Sequence, residues 1–280
     1  MANHVEAEGL YGADVAEASR SRKLYLQNER LVIGGGALFL FFFTWELIAR
    51  TGFVNPLFIS SPTLVVRAGY KLFADGEIWK DLRVSGTEFA VGYLMAAGIA
   101  IPLGLAVGWY KRLYFILGPF IDVLNAVPRV TLLPLIIIWF GIGIWSKIVV
   151  VFLGAVIPML INTFSGVKTS EERFLRVARS FGASEFKLFW SIVLPGTVPF
   201  IFTGLKYAAG RALLGVVVGE LYAATAGIGF LITVAGATFQ TDKVFVGILI
   251  VTCTGLFVVE ILNRLEHRFD EWRPKVGSAT

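Results

Sequence analysis

Three polar side chains interrupt long apolar stretches of this 280-residue sequence: Asn125, Arg129 and Glu220. A polar group is costly to bury in lipid, so such residues are candidates for binding a solute. Arg129 directly follows Pro128, and a proline break frees backbone groups that can hold an anion together with a guanidinium. The alternative is that Arg129 pairs with Glu220 or Asp122 and fixes helix packing. The residue types therefore favour either an anion pathway or an internal ion pair.

Other polar and aromatic residues in apolar segments extend this set. Asn162 lies in an apolar run and is a further pathway candidate, together with Pro128. Trp139 is also a pathway candidate, although aromatic residues near a span end more often form a belt at the membrane interface. Three acids lie near predicted span ends and are expected to reach that interface: Glu46, Glu88 and Glu260.

The composition is that of a membrane protein. The chain is 56% hydrophobic and only 16% charged, with a mean hydropathy of +0.74. Soluble domains carry about 45–50% apolar and about 25% charged residues. An ordinary water-soluble enzyme and a disordered chain are thereby excluded. In a membrane protein, a net charge of +5 more often reflects basic cytoplasmic loops than binding to nucleic acid. No nucleic-acid partner is therefore expected.

Few side chains suit metal or cofactor chemistry. The single cysteine, Cys253, excludes a multi-cysteine cluster, and the two histidines, His4 and His267, lie near opposite ends. The chain has no G-x-x-x-x-G-K-[ST] phosphate-binding loop and no G-x-S-x-G motif. No metal, no cofactor and no catalytic residue are therefore predicted, and a membrane-embedded enzyme has almost no support.

Six apolar segments are each long enough to cross a bilayer core, which needs about 20 helical residues. They run over 31–49, 85–109, 114–141, 144–166, 197–222 and 244–262. The third contains several prolines and is predicted to break near Ala126–Arg129. The fold class is thus an all-α integral membrane protein, with a transmembrane domain over 31–266 between tails 1–30 and 267–280.

Lysine and arginine residues are unevenly divided between the two sides of these spans. Placing the N-terminus inside puts most of them on the cytoplasmic side, so both termini are predicted to be cytoplasmic. The outer stretch 51–84 is interpreted as a connecting loop, a brace or a docking surface for a delivery protein. Its segment 62–83 is a candidate for a helix lying on the membrane surface.

Two glycine pairs have small-x-x-x-small spacing: Gly104 with Gly108, and Gly215 with Gly219. Such faces let two helices approach closely. The spacing fits helix packing within the chain and a dimer face equally well.

The inner stretch 167–195 carries more aromatic residues than a solvated connector needs. One helical face is formed by Phe174, Val177, Ala178 and Phe181. Gly182 is a natural C-cap, Ser184 can cap a second short helix containing Phe186, and Leu194-Pro195 is expected to end that helix. The pattern predicts a helix–turn–helix that either rests on the membrane or inserts an apolar knob into a groove of a cytoplasmic partner.

At these residues the sequence resembles the cytoplasmic loop of ABC importer permeases. The pattern is Glu-Ala-Ala, three residues, Gly, nine residues, Ile-x-Leu-Pro, and it is matched by Ala178, Gly182, Ile192, Leu194 and Pro195. Arg176 and Val177 replace the leading Glu-Ala. Segments resembling the nitrate/sulfonate/taurine branch of that family include 127–130, 133–135, 139–143, 204–206, 218–220 and 227–230. The likeness extends over most of the chain, from about residue 57 to about residue 273.

This resemblance implies a type I ABC importer permease-like fold with a cytoplasmic coupling helix, set in the cell inner membrane. It implies ATPase subunits that bind ATP and Mg²⁺, a periplasmic or lipoprotein substrate-binding protein, and a second permease copy as homodimer partner. The residues expected to couple to the ATPase are Ala178, Phe181, Gly182, Ala183, Ser184, Glu185, Phe186 and Pro195.

The cargo implied by the resemblance is a small solute moved by alternating access. Relatives carry nitrate, sulfonates, taurine, bicarbonate or thiamine-type pyrimidines, and Arg129 favours a small anion. Selectivity is expected to reside largely in the binding protein. An alternative is a secondary transporter driven by an ion gradient, which would need internal repeats and paired ionisable groups at the midplane.

Overall fold

The computed structural model describes residues 29–52, 54–55, 58–169 and 172–269, and their regular structure is helical. Most of the two predicted tails, 1–28 and 270–280, lies outside the described residues. The helices are α1 (Glu29–Arg50), α2 (Pro62–Ala74), α3 (Ile78–Trp109), α4 (Lys111–Ala126), α5 (Leu133–Phe140), α6 (Ile144–Lys168), α7 (Glu172–Ser180), α8 (Glu185–Leu188), α9 (Leu194–Ala223), α10 (Ile228–Ala237) and α11 (Thr241–His267).

The predicted spans correspond to helices of the structure. Within the described residues, five helices are long and apolar enough to cross a membrane, and a bent pair makes a sixth. Helix α3 contains the second predicted span, 85–109. It is longer than that span, because it begins at Ile78 rather than at Ser85. The predicted surface helix over 62–83 is shorter, because α2 ends at Ala74 and α3 follows a turn at Gly76.

The chain divides into two compact units at Val66–Arg67. In the first unit, α1 is tied to the start of α2 through Glu46. Its carboxylate accepts hydrogen bonds from the Thr63 amide at 3.1 Å and hydroxyl at 2.7 Å, and from Arg50 at 2.5 Å. The Trp45 indole donates to the Ser60 carbonyl at 2.7 Å. Glu46 therefore holds the entry to α2, besides lying near the end of its span.

The second unit is built around α6, with α3 and α9 packed along it. Its core is rich in small residues, including Ala96, Ala100, Ala155, Ala208 and Ala212. A Cβ added to Gly104 would lie 2.8 Å from Thr163 of α6, and one added to Gly215 would lie 3.2 Å from Val151 of α6. Gly108 and Gly219 likewise face α6. Both small-x-x-x-small pairs therefore serve close packing within the chain.

The predicted break in the third span is confirmed. Helix α4 ends at Ala126, Val127 and Pro128 are extended, and a 3₁₀ turn over Arg129–Leu132 leads into α5. The two halves of the span bend by 90°. The Pro128 carbonyl, freed from the helix, accepts from the Thr131 amide at 3.0 Å and hydroxyl at 2.6 Å. The bend places Arg129 at a helix break, next to a Pro128 carbonyl that is hydrogen-bonded.

The expectation that Leu194-Pro195 ends the second short helix of the loop is wrong. Helix α8 continues through a π-helical turn, Phe189–Val193, directly into α9. Pro195 lacks an amide proton, and its ring would clash with the Ser191 carbonyl in a regular α-helix. The wider turn, in which the Leu194 amide donates to the Phe189 carbonyl, accommodates the proline without a break.

Candidate functional sites

The helix–turn–helix over Glu172–Val193 is organised by Gly182. This glycine has φ +78°, a conformation that costs a residue with a side chain roughly 1–2 kcal/mol. Its amide donates to the Arg179 carbonyl at 2.9 Å, and the Ala183 amide donates to the Ala178 carbonyl at 3.1 Å. These two bonds form a Schellman motif. The spacing between Ala178 and Gly182 is therefore the spacing that a glycine C-cap requires.

The turn is locked on its far side by Ser184 and Glu185. The Ser184 hydroxyl accepts from the Lys187 amide at 3.4 Å and caps α8. Arg179 donates to both carboxylate oxygens of Glu185, at 2.9 and 3.3 Å. This exposed two-point pair joins the end of α7 to the start of α8, so the two short helices have one defined relative orientation.

The aromatic residues of the segment are divided between solvent and the rest of the chain. Phe181 is 86% exposed, Phe186 74% and Trp190 52%. Phe189 packs edge to face on Trp109 at the end of α3, with ring centroids 5.5 Å apart, and Leu188 is buried. The segment is therefore a supported knob whose outer aromatic face has no cover within the described part of the chain. The side chain of Phe174, predicted on the same face, lies outside the described residues.

Replacing Gly182 with alanine is expected to weaken the turn by about 1–2 kcal/mol, because of its positive φ. Gly196 is the matched control. A Cβ at either glycine meets no atom within 4 Å, but only Gly182 has a positive φ. Hydrogen exchange of the Ala183 amide should accelerate roughly 5- to 30-fold in Gly182→Ala and stay unchanged in Gly196→Ala. Equal exchange in both variants would contradict a conformational role for Gly182.

A second candidate site lies around Arg129. This half-buried side chain interacts electrostatically with Arg211 and Tyr207 of α9. It also borders a cavity of about 270 Å³ whose other lining residues are apolar and come from α3, α4, α6 and the bend. The Arg211 guanidinium donates to the Tyr207 hydroxyl at 2.7 Å. In the described part of the chain, neither arginine forms an ion pair with a carboxylate.

The remaining pathway candidates have different surroundings. Asn125 and Pro128 are exposed at the bend, and Trp139 is exposed near the far end of α5. Asn162 donates to the Pro158 carbonyl at 2.8 Å and lies where α6 meets Gly204 of α9. The structure thus brings Asn125, Pro128 and Arg129 to one bend and places Asn162 in a helix contact.

Glu220 lies in a third cluster, nine residues beyond Arg211 along α9, or roughly 13 Å by helical rise. It is 1% exposed and accepts from the Ser85 hydroxyl and the Gly229 amide, both at 2.6 Å. The Ser85 hydroxyl in turn accepts from the Ile228 amide at 2.9 Å. Glu220 therefore joins α3, α9 and the first turn of α10.

Two further charged residues complete this cluster. Lys147 of α6 lies 3.4 Å from Glu88 of α3, both are buried, and Glu88 interacts electrostatically with Glu220. The expectation that Glu88 reaches the interface is wrong, because it is fully buried. Glu260 is exposed and pairs with Arg264 at 2.7 Å. The hydrogen-bond partners of Glu220 are Ser85 and Gly229, and Glu220 does not pair with Arg129.

Sequence reasoning missed Lys147 and Ser85 in this cluster, and Tyr207 beside Arg211. Arg211 was recognisable as a charge inside a span, and Tyr207 one helical turn before it is a spacing at which side chains meet. Lys147 gave no such signal, because it follows the start of a span and resembles an interfacial lysine.

The chain is similar to several known membrane transport proteins. The family model described as "Binding-protein-dependent transport system inner membrane component" matches residues 98–271. The chain is 32% identical over 270 residues to the taurine transport system permease protein TauC of Escherichia coli (strain K12), covering 94% of this chain and 98% of that protein. It is 28% identical to the formylaminopyrimidine transport permease protein ThiX of Halalkalibacterium halodurans, covering 82% of this chain and 92% of that protein. It also matches a chain of an inward-facing methionine ABC transporter with a TM-score of 0.48 and 18% identity, covering 68% of this chain and 96% of that one.

Proposed function

This chain belongs to the binding-protein-dependent transport system inner membrane component family, and from that premise we propose that it moves a small anion across the inner membrane by alternating access. Membership makes it the membrane permease subunit of an ABC importer for small solutes. Such an importer includes ATPase and substrate-binding subunits. The chain has no phosphate-binding loop of its own, so the energy has to reach it through contact with an ATPase.

The observation that carries the proposal is the supported aromatic knob of the helix–turn–helix. Phe181 and Phe186 are exposed at the end of two short helices that a Schellman turn and the Arg179–Glu185 pair hold together. A groove in an ATPase subunit that covers this face would bury the aromatic rings and move the knob as a unit. Because α8 runs through the π turn into α9 without a break, such a movement would be transmitted to a span.

The proposed residue roles follow from this contact. Phe181, Phe186 and Ala183 contact the ATPase. Ala178, Gly182, Ser184 and Glu185 hold the turn in shape, and Pro195 defines the joint to α9. This assignment places both termini and the helix–turn–helix in the cytoplasm. It also leaves the exposed faces around the α4–α5 bend for the translocation path between two copies of the chain.

An anion is the proposed cargo because Arg129 lies at the bend and forms no ion pair with a carboxylate among the described residues. A relative named as a taurine permease supports a sulfonate as the first probe. A thiamine-type pyrimidine is the alternative cargo, in keeping with the relative named for formylaminopyrimidine transport.

The test is uptake into proteoliposomes that contain this chain, its ATPase and its binding protein. Labelled taurine is expected to accumulate only with hydrolysable ATP and to be unaffected by ionophores that dissipate ion gradients. A thiamine-type pyrimidine serves as the competing cargo in parallel vesicles. Gradient-driven uptake by this chain alone would contradict the proposal in favour of a secondary transporter, and ATP-driven uptake of the pyrimidine alone would contradict the anion.

A further inference from the structure

Two arginines, Arg129 and Arg211, come from different segments of the membrane domain. Arg129 begins the 3₁₀ turn at the α4–α5 bend and Arg211 belongs to α9, and the positive charge of Arg211 acts on Arg129. Elsewhere on α9, Lys206 is neutralised by Glu266 of α11. In the described part of the chain no carboxylate pairs with Arg129 or Arg211, so neither positive charge is neutralised by an ion pair there.

Arg211 lies too deep in its helix to escape to the membrane surface. It is roughly 25 Å from the N-terminal end of α9 and roughly 18 Å from the C-terminal end, by a rise of about 1.5 Å per residue. Placing a charge at this depth in contact with lipid costs several kcal/mol. Yet Arg211 and Tyr207 are both exposed on the single chain. Their face therefore has to meet water or protein rather than lipid.

The two guanidiniums are held in place by their surroundings. Tyr207 accepts a hydrogen bond from Arg211 at 2.7 Å and presents its ring 5.3 Å from the guanidinium carbon. The Arg211 backbone packs against Gly154 of α6, where an added Cβ would come within 3.0 Å of the Arg211 carbonyl oxygen. The neighbouring residues Leu153, Val156 and Ile157 of α6 line the cavity that Arg129 borders. The same stretch of α6 thus lies beneath both arginines.

We infer that Arg129, Arg211 and Tyr207 form an anion-binding subsite of the permease itself, suited to a small sulfonate or similar oxyanion with an apolar tail. An oxyanion between the guanidiniums would neutralise both charges, since guanidinium groups bind such oxygens with several hydrogen bonds. The apolar cavity beside Arg129 would receive the tail. This inference rests on the proposed anion import. It adds a site within the permease, outside the binding protein, that selects the cargo.

The experiment is equilibrium binding of labelled ethanesulfonate to the permease–ATPase complex in nanodiscs, without the binding protein. Ethyl methyl sulfone, a neutral molecule of similar size, is the competitor that should not displace it. Arg129→Gln and Arg211→Gln are each expected to weaken binding about 10- to 100-fold, the range of a lost charge-assisted contact. Arg211→Lys should retain part of the affinity, because lysine keeps the positive charge but lacks the planar guanidinium group with its several donors.

Two variants keep the outcome decisive. Tyr207→Phe keeps the ring, removes the hydroxyl that orients Arg211, and should weaken binding by several-fold even if Arg211→Gln fails to assemble. Arg264→Gln removes one positive charge from an exposed pair with Glu260 and should bind as the wild type does. Absence of ethanesulfonate binding to the wild type, or equal affinity in the wild type, Arg211→Lys and Tyr207→Phe, overturns the subsite. A wild-type complex that binds ethanesulfonate but does not import it contradicts the proposed function and leaves the subsite unaffected. Equal import by the wild type and every variant overturns the subsite alone.

Discussion

Lys147→Met is expected to lower the free energy of unfolding by about 3–5 kcal/mol, the range for removing one partner of a buried ion pair. Lys147 is the cation that faces Glu88 at 3.4 Å, and Glu88 in turn interacts electrostatically with Glu220. Methionine fills the same space but leaves two buried acids with no cation. The measurement is denaturant titration of the purified chain in mixed micelles. Lys80→Met, at an exposed lysine of the same helix as Glu88, is the control and should be nearly neutral.

The double variant Glu88→Gln with Lys147→Met separates charge from packing. Removing both charged groups leaves Glu220 with its bonds to Ser85 and Gly229 and eliminates the unpaired charge of Glu88. The double variant is therefore expected to be more stable than Lys147→Met alone, with a coupling energy of about 1–3 kcal/mol. If the two substitutions are simply additive, or if Lys147→Met is no worse than Lys80→Met, the cluster does not hold α3, α6 and α9 together.

The spans and the bend could be predicted because each depends on a signal contained in a short stretch of sequence. Hydropathy over about 20 residues locates a helix that crosses a membrane, and Pro128 marks the bend because proline cannot continue the backbone ladder. Gly182 is similar, since its role depends on the few residues of one turn. These features are local, and the structure confirms them.

The charged cluster could not be predicted, because it depends on how three helices are rotated about their axes. Glu88, Lys147 and Glu220 are far apart in the sequence, and a single polar residue in a span does not reveal its partner. The same limit applies to Arg129, for which the sequence offers Glu220 and Asp122 as partners, whereas neither forms an ion pair with it among the described residues. Helix α10 was missed for another reason: its ten residues are apolar but too few to register as a span.

The direct passage of α8 into α9 bears on the coupling proposal. The sequence predicts a stop at Leu194-Pro195, which would have made the knob a separate lever joined by a kink. The π turn instead joins the knob to a 30-residue helix that carries Lys206, Arg211 and Glu220. A displacement of the knob would therefore act on the same helix that contributes to the proposed anion subsite and to the buried charge cluster.

Phe181→Asp is expected to reduce ATP-driven uptake at least tenfold while leaving the chain inserted and folded. Phe181 is 86% exposed, so its ring contributes little to the stability of the free chain. Burying a phenylalanine in a partner groove is worth about 1.5–3 kcal/mol, which corresponds to roughly 10- to 100-fold in affinity. An aspartate adds the cost of placing an unpaired carboxylate in an apolar groove. Uptake and ATPase co-purification are measured together, because both should fall.

The controls distinguish loss of an apolar anchor from a general disturbance of the segment. Phe181→Leu keeps an apolar side chain and should retain most of the uptake. Lys187→Gln changes an exposed polar residue of α8 and should have little effect. Thermal unfolding of Phe181→Asp should match the wild type, since the Schellman bonds of Gly182 and Ala183 use backbone atoms only. Normal uptake and normal ATPase recovery in Phe181→Asp would mean that the exposed aromatic face is not where the ATPase binds, and the knob would then have to be reinterpreted as a membrane-surface helix.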